Sequence, residues 1–139
     1  MRKEVLEKFL GEKVKQTDLN TFESVDYQGE YLVLTDKEAD EKAQENILES
    51  LWAFNADFIL KHTKNYKNMY NHEKKAALDA LKDAQAKSYE SLNGLIFAMI
   101  EDINLFVENA IEVDGRGHFI SWYDGEENEQ DGFFIYRIN

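Results

Sequence analysis

The fold is decided by a C-terminal stretch, Asp114-Gly-Arg-Gly-His-Phe-Ile-Ser-Trp-Tyr-Asp-Gly-Glu-Glu127, and by the ending Phe133-Phe-Ile-Tyr-Arg-Ile-Asn139. Aromatic and β-branched residues favour strands, and two such runs here flank an acidic segment. The pattern predicts a β-hairpin whose charged loop spans residues 124–131. We expect much of the buried face of the sheet to come from its aromatic residues: Phe119, Trp122 or Tyr123, and Phe133 to Tyr136.

A second hairpin is predicted earlier in the chain. Residues 21–27 and 30–34 alternate apolar and polar side chains around Gln28-Gly29, a dipeptide that favours a turn. Pairing of the two hairpins with each other is the simplest way to bury both apolar faces.

Helices are predicted around these strands. Apolar residues at three- and four-residue spacing indicate a helix over residues 2–15. Thr35 and Glu38 form a capping box, which predicts a helix from Asp36 to about Trp52. Asn55 is placed to cap a further short turn.

The middle of the chain is predicted to be helical as well. Residues 61–72 are polar and indicate a surface connection. A helical pattern follows over residues 73–113, longer than globular helices usually run. We expect it to divide near Gly94 or at Glu101-Asp102, with Asp102 as a cap, and to end at Asp114-Gly115.

These elements predict an α+β fold. We expect an antiparallel sheet of about four strands, arranged as two hairpins, with three to five helices packed on one face. The length of 139 residues indicates a single acidic domain over residues 1–139.

Charge is the outstanding bulk property. The formal net charge is −12, and residues 17–60 alone carry 11 acidic and 2 basic side chains. Such a field repels phosphate backbones and anionic lipids, so we expect neither direct nucleic-acid binding nor membrane binding. It favours a partner protein with a basic surface.

Two acidic surfaces are the candidate partner-binding sites. One is predicted on the solvent face of the helix after Thr35, and the other on the C-terminal loop; their residues are Glu38, Asp40, Glu41, Glu45 and Glu49, and Glu126, Glu127, Glu129 and Asp131. Carboxylates of this kind can occupy a basic cleft that is built for phosphates. The alternative interpretation is that they form a solvated face that keeps a small protein in solution.

The sequence contains no catalytic, cofactor or metal signature. It has no cysteine and no hydrophobic leader, which favours a cytoplasmic protein. Segment 124–131 has the composition of a calcium loop, but its glycine and its bidentate glutamate are not at the required positions. We therefore expect no enzymatic activity, no cofactor and no metal.

A rival hypothesis is a small enzyme or small-ligand binder centred on four residues: Arg116, His118, Tyr123 and Asp124. The glycines around Arg116 follow a helix and precede a predicted strand, which is the reverse of a phosphate loop. We expect Arg116 and Arg137 to pair with carboxylates and pin the C-terminal hairpin. A third hypothesis is a structural or assembly protein that buries an apolar surface by self-association, since the oligomeric state does not follow from the sequence.

Three stretches resemble a family of small proteins carried by bacteriophages, prophages and plasmids: Tyr31-Leu-Val-Leu-Thr-Asp-Lys-Glu-Ala-Asp-Glu-Lys-Ala43, Glu49-Ser-Leu-Trp-Ala-Phe-Asn-Ala-Asp-Phe58 and Asp114–Glu127 with the final Phe-Ile-Tyr-Arg-Ile-Asn. The resemblance implies an origin in a mobile element and a cytoplasmic setting in bacteria. It assigns no activity and no site residues. Small acidic proteins of such elements often inhibit host defence, so the leading hypothesis is a non-enzymatic inhibitor of a nucleic-acid-handling defence system such as a CRISPR effector.

Overall fold

The computed structural model describes residues 1–26 and 29–139. Five strands form one antiparallel sheet in the order β1-β2-β3-β5-β4: β1 (Val14–Asp18), β2 (Thr21–Ser24), β3 (Glu30–Leu34), β4 (Asn128–Gln130) and β5 (Phe133–Arg137). The helices are α1 (Arg2–Leu10), α2 (Asp36–Glu49), α3 (Ala56–Lys61), α4 (Asn71–Ser88), α5 (Asn93–Met99), α6 (Ile103–Asp114) and α7 (Arg116–Ile120). The predicted α+β class and antiparallel sheet are confirmed, with five strands where about four were expected.

The chain divides into two compact units. Residues 1–44 and 111–139 form one, which we call the sheet unit, and residues 45–110 form the other, which we call the helical unit. All five strands belong to the sheet unit.

Pairing between the two predicted hairpins is confirmed. β3 lies antiparallel to β5, with Leu32 opposite Tyr136 and Val33 opposite Ile135. The earlier hairpin is confirmed as β2 and β3, whereas Tyr27 of the predicted strand and Gln28 of the predicted turn lie outside the described residues. One side of the sheet buries a continuous apolar cluster against α1, consisting of Val5, Leu6, Val14, Phe22, Tyr31, Val33 and Ile135.

The prediction of a helix over residues 2–15 was wrong at its end. Helix α1 stops at Gly11, which has φ 74°, and the amide of Gly11 donates to the carbonyl of Glu7 at 2.8 Å. Glycine adopts this left-handed conformation without a steric cost, so it ends a helix readily. The chain then turns back as β1, an edge strand that the sequence pattern did not reveal.

The predicted first strand of the C-terminal hairpin was also wrong. Residues 116–120 form α7, and the hairpin consists of β4 and β5 joined at Asp131-Gly132, both with positive φ. Gly117 allows α7 to lie close to the segment that follows it, because a Cβ there would lie 2.4 Å from the carbonyl oxygen of Gly125. The chain therefore folds back on itself immediately after α6.

This rearrangement changes which aromatic side chains are buried. Tyr136 is fully buried on β5 and Phe119 is buried on α7, whereas Trp122 and Tyr123 are 72% and 57% exposed. The expectation that Trp122 or Tyr123 faces the core was wrong, because both lie in the turn that follows α7.

In the helical unit the predicted caps are confirmed. Asn55 accepts from the amides of Asp57 and Phe58 at the start of α3, and Asp102 accepts from the amide of Leu105 at 3.1 Å at the start of α6. The long helical pattern divides at residues 100–102, as predicted, and a second time at residues 89–92, just before Gly94.

Candidate functional site

Arg116 organises the polar part of the sheet unit. Its side chain is only 11% exposed, and its guanidinium contacts three carboxylates. Nη1 lies 2.8 Å from Asp36 Oδ1 and 3.0 Å from Asp40 Oδ1, and Nε lies 2.8 Å from Glu127 Oε1. One cation thereby joins the start of α2 to the segment before β4, and the prediction that Arg116 pairs with carboxylates is confirmed.

Two further contacts extend this network into the sheet. The guanidinium lies over the Phe134 ring at 4.6 Å, and the Tyr136 hydroxyl donates to Glu127 Oε1. Burial, followed by the hydrogen bond to Glu127, raises the pKa of the Tyr136 phenol. Burial lowers the pKa of Arg116, but its carboxylate partners outweigh burial and the pKa lies above its ordinary value. Both groups stay protonated, so the network is a structural one.

Several candidate acidic residues are already paired inside the protein. Glu38 accepts from Arg2 Nη1 at 2.6 Å and completes the capping box with Thr35, while Asp40 and Glu127 bind Arg116. Asp131 lies 3.3 Å from Lys8 Nζ. These carboxylates contribute to the fold, which reduces what they can offer to a partner.

The other carboxylates proposed to bind a partner are exposed. Glu41 lies 3.9 Å from Lys37 on α2, and Glu45 and Glu49 follow it on the same helix. Glu126 and Glu129 are exposed, and no hydrogen bond or ion pair of their side chains occurs within residues 1–26 and 29–139. Of the four carboxylates predicted for the C-terminal acidic surface, Glu127 and Asp131 are paired within the protein, whereas Glu126 and Glu129 are available to a partner.

The four residues of the alternative ligand site have separate partners. Arg116 is engaged as described, while His118 is exposed on α7 with its ring against Phe119. Two residues apart on a helix, Arg116 and His118 do not face each other. Tyr123 stacks against the Arg137 guanidinium at 3.6 Å, and Asp124 accepts from the amide of Glu126 at 3.0 Å. The contacts do not bring these four side chains together.

Side-chain hydrogen bonds hold the turn after α7 although it is exposed. The Ser121 hydroxyl lies 2.7 Å from Asp124 Oδ1 and 2.5 Å from the carbonyl oxygen of Arg137. Burial raises the pKa of Asp124, but the hydrogen bonds from Ser121 and Glu126 outweigh it and leave the pKa below its ordinary value. Trp122 therefore projects into solvent from a hydrogen-bonded turn. The sequence analysis predicted a strand here and did not identify this turn.

Arg137 departs from the prediction made for it. Its Nε donates to the main-chain oxygen of Asn139 at 3.0 Å and its plane covers Tyr123. Within the described residues it forms no ion pair with an aspartate or glutamate side chain. It pins the end of the sheet by stacking and by this backbone contact.

The histidines have no metal-binding arrangement. His62 is satisfied inside the helical unit, where Nε2 accepts from Asn109 at 2.9 Å and Nδ1 lies 2.7 Å from the carbonyl oxygen of Phe58. Because a carbonyl oxygen only accepts, the contact to Phe58 places a proton on Nδ1. Among residues 1–26 and 29–139, no group of three or more histidine, aspartate or glutamate side chains is placed to hold a metal ion.

Comparison with known proteins gives no relative. No family model matches the sequence, no curated protein matches it, and no solved structure matches its fold. Within the part of the chain that the structure describes, no helix combines the length and the apolar character that a bilayer span needs.

Replacing Glu127 should show that the Arg116 network stabilises the fold. Glu127→Ala leaves the buried Tyr136 hydroxyl without its acceptor and removes one of the Arg116 carboxylates, which should lower the free energy of unfolding by about 2 kcal/mol. Glu126→Ala, next in sequence, should change it by less than about 0.5 kcal/mol. Urea denaturation of the two variants makes the comparison, and equal midpoints would contradict the structural role.

Glu38 should make stability depend on pH in acid. Hydrogen bonds from Arg2 and from the Thr35 amide lower the pKa of Glu38 from 4.5 to about 2. The folded state therefore favours the ionised carboxylate, and its stabilising effect is full above pH 4.5 and lost as the pH falls toward 2. The difference in Tm between the wild type and Glu38→Gln should be largest near neutral pH and should shrink over this window. A difference that stays constant from pH 6 to about pH 2 would exclude the linkage.

Proposed function

We propose that this chain is a non-enzymatic binding protein that covers a basic surface of another protein. The observation that carries the proposal is Trp122, which is 72% exposed on a turn held in place by Ser121 and Asp124. Tryptophan is among the side chains enriched at the energetic hot spots of protein interfaces. Exposure of the indole to water gives the free chain no stability, whereas a partner that covers Trp122 removes its apolar area from water.

The neighbouring carboxylates give the anchor its selectivity. Glu126 and Glu129 follow Trp122 within seven residues, are exposed, and have no cationic partner among the described residues. A partner with lysine or arginine side chains around an apolar contact would complement this arrangement in charge. The net charge of −12 adds long-range attraction toward such a surface.

The resemblance to proteins of mobile elements extends the proposal. In that setting the basic surface belongs to a bacterial host protein that handles nucleic acid in defence, such as a CRISPR effector, and the acidic chain competes for the cleft that binds phosphates. Proteins of this kind require no cofactor, and inhibition by occupying a cleft requires no catalytic residue.

A capture experiment tests the proposal. The immobilised chain should retain a basic protein from a bacterial lysate at about 50 mM salt and release it at about 500 mM, because screening shortens the reach of charges. Duplex DNA or RNA should also displace the captured protein. The variant Trp122→Ala, Glu126→Gln, Glu129→Gln should lose the capture.

The matched control carries the same changes in the helical unit. Phe97→Ala with Glu101→Gln and Glu108→Gln removes one exposed aromatic ring and two exposed carboxylates, so its net charge equals that of the test variant. It should retain the partner. Capture of no basic protein at low salt, or equal loss in both variants, would overturn the proposal.

A further inference from the structure

Asn93 and Gly94, at the start of α5 in the helical unit, are the one Asn-Gly pair among the 139 residues of the chain. The side-chain amide of an asparagine is open to attack by the main-chain nitrogen of the next residue. Glycine hinders that attack least, because it has no side chain. Gly94 is exposed, and beyond its own helix a Cβ there would meet no atom within 4 Å. The dipeptide therefore lies where water can reach it.

The side chain of Asn93 links α5 to the end of α2. Its Oδ1 accepts from the main-chain amide of Trp52 at 2.8 Å, and its Nδ2 donates to the carbonyl oxygen of Glu49 at 2.6 Å. Glu49 is the last residue of α2, and the final carbonyls of a helix have no partner within that helix. Asn93 supplies the partner from 44 residues further along the chain.

The same two hydrogen bonds restrain the reaction in the folded chain. Ring closure requires the side-chain amide of Asn93 to turn toward the Gly94 nitrogen, whereas the contacts hold it toward Trp52 and Glu49. The main chain at Asn93 is also fixed in the helical conformation, with φ −53° and ψ −45°. The folded chain therefore reacts only when this part of the helical unit opens locally.

We propose that Asn93 is a site of spontaneous deamidation, and that local opening of the helical unit sets its rate. The Gly94 nitrogen forms a bond to Cγ of Asn93, the Cγ–Nδ2 bond breaks, and the proton from the Gly94 nitrogen leaves with Nδ2 as ammonia. Water then opens the resulting five-membered ring at either of its two carbonyl carbons. The net reaction consumes one water, releases one ammonia and replaces the amide by a carboxylate, as aspartate or as isoaspartate.

Either product breaks the link between α5 and α2. In aspartate an oxygen replaces Nδ2, and an ionised carboxylate has no proton to donate to the carbonyl oxygen of Glu49, so two acceptors meet. In isoaspartate the main chain runs through the side-chain carbon and is longer by one methylene group at the start of α5. Refolding reverses neither change, so a transient opening becomes a lasting loss of stability. Such losses lower the abundance of a protein in the cell, and the site thereby limits the lifetime of the folded chain.

Peptide mapping of the full chain by mass spectrometry measures the reaction. Trypsin releases residues 88–116 as one peptide, which also contains Asn104 and Asn109 as internal references. Relative to an unincubated sample, conversion of Asn93 should be at least about tenfold slower in native buffer than in about 6 M guanidinium chloride, because the native chain reacts only when open. Asn104 and Asn109 precede leucine and alanine, so they should change little under either condition.

Three variants separate the chemistry from its consequence. Gly94→Ala places a methyl group beside the attacking nitrogen, so conversion in denaturant should slow sharply although the fold is kept. Asn93→Asp reproduces one product and should lower the Tm by about 5 °C, because it loses a hydrogen bond and sets a carboxylate against a carbonyl. Asn104→Asp makes the same change of charge at an exposed position of α6 and should leave the Tm almost unchanged.

Slow conversion of Asn93 in native buffer and fast conversion in denaturant, together with a lower Tm of Asn93→Asp, support the site. Equal rates under the two conditions would overturn it. So would the absence of any native conversion over many half-lives of the denatured chain, or equal Tm values for Asn93→Asp and Asn104→Asp. None of these measurements involves Trp122, so failure at Asn93 leaves the proposed function unaffected.

Discussion

A chain that ends at Gly132 is expected to be unfolded or aggregated. The truncation removes β5, which pairs with β3 on one side and with β4 on the other. It also removes Ile135 and Tyr136, which are 1% and 0% exposed. At about 25 cal/mol per Å², losing these side chains and their neighbours costs several kcal/mol. The total free energy of unfolding of a small domain is only about 5–15 kcal/mol.

Circular dichroism and thermal melting check this result. Trp122→Ala serves as the control, because it deletes a large aromatic side chain that is exposed and should leave the Tm almost unchanged. Cooperative melting of the truncated chain near the Tm of the full chain would contradict this expectation, because the sheet would then be stable without β5.

The second large effect is expected at Gly117. A Cβ there would lie 2.4 Å from the carbonyl oxygen of Gly125, 2.8 Å from the carbonyl carbon of Glu126 and 2.9 Å from the amide nitrogen of Glu127. These are backbone atoms, which cannot turn aside as a flexible side chain can. Gly117→Ala must therefore separate α7 from the following turn, and we expect a loss of about 3 kcal/mol in the free energy of unfolding.

Gly94→Ala is the control, and its expected effect on the free energy of unfolding is zero or of the opposite sign. Gly94 lies in α5 with an ordinary helical φ, and a Cβ there would meet no atom within 4 Å. The substitution should be neutral or stabilise the chain by up to about 1 kcal/mol, because alanine favours helices over glycine. Urea denaturation of both variants makes the test, and a loss of similar size in both would show that contact at Gly117 is not the cause.

Local signals in the sequence predicted local structure well. Thr35 with Glu38, Asn55 and Asp102 act through hydrogen bonds to amides two or three residues away, so short motifs were sufficient to place three helix starts. The β2–β3 hairpin followed from alternation for the same reason.

The failures came where a local preference competed with distant packing. Residues 119–123 have strand-forming side chains, yet they form the end of α7 and an exposed turn, beside the close approach of Gly117 to Gly125. The edge strand β1 buries only Val14 and leaves its other residues exposed, so it lacked the apolar alternation by which strands are recognised.

The candidate site was harder to predict than the fold. Arg116 contacts Asp36 and Asp40 across 80 and 76 residues of sequence, and no spacing rule connects them. The candidate carboxylates could be read from the sequence, but the pairing of Glu38 with Arg2, of Asp131 with Lys8 and of Glu127 with Arg116 depends on the tertiary structure. The exposed Trp122 was concealed by the strand prediction.

The position of β5 between β3 and β4 has a consequence for synthesis on the ribosome. β3 leaves the exit tunnel about a hundred residues before β5, and at bacterial or eukaryotic elongation rates this interval is on the order of ten seconds. During that time the edge of β3 that later pairs with β5 has no partner strand, and Leu32 and Leu34 are without Tyr136 and Phe134 opposite them. Residues 45–110, the helical unit, emerge within this interval. The nascent chain thus presents an open apolar edge that a chaperone, or a neighbouring nascent copy, can reach before the sheet closes.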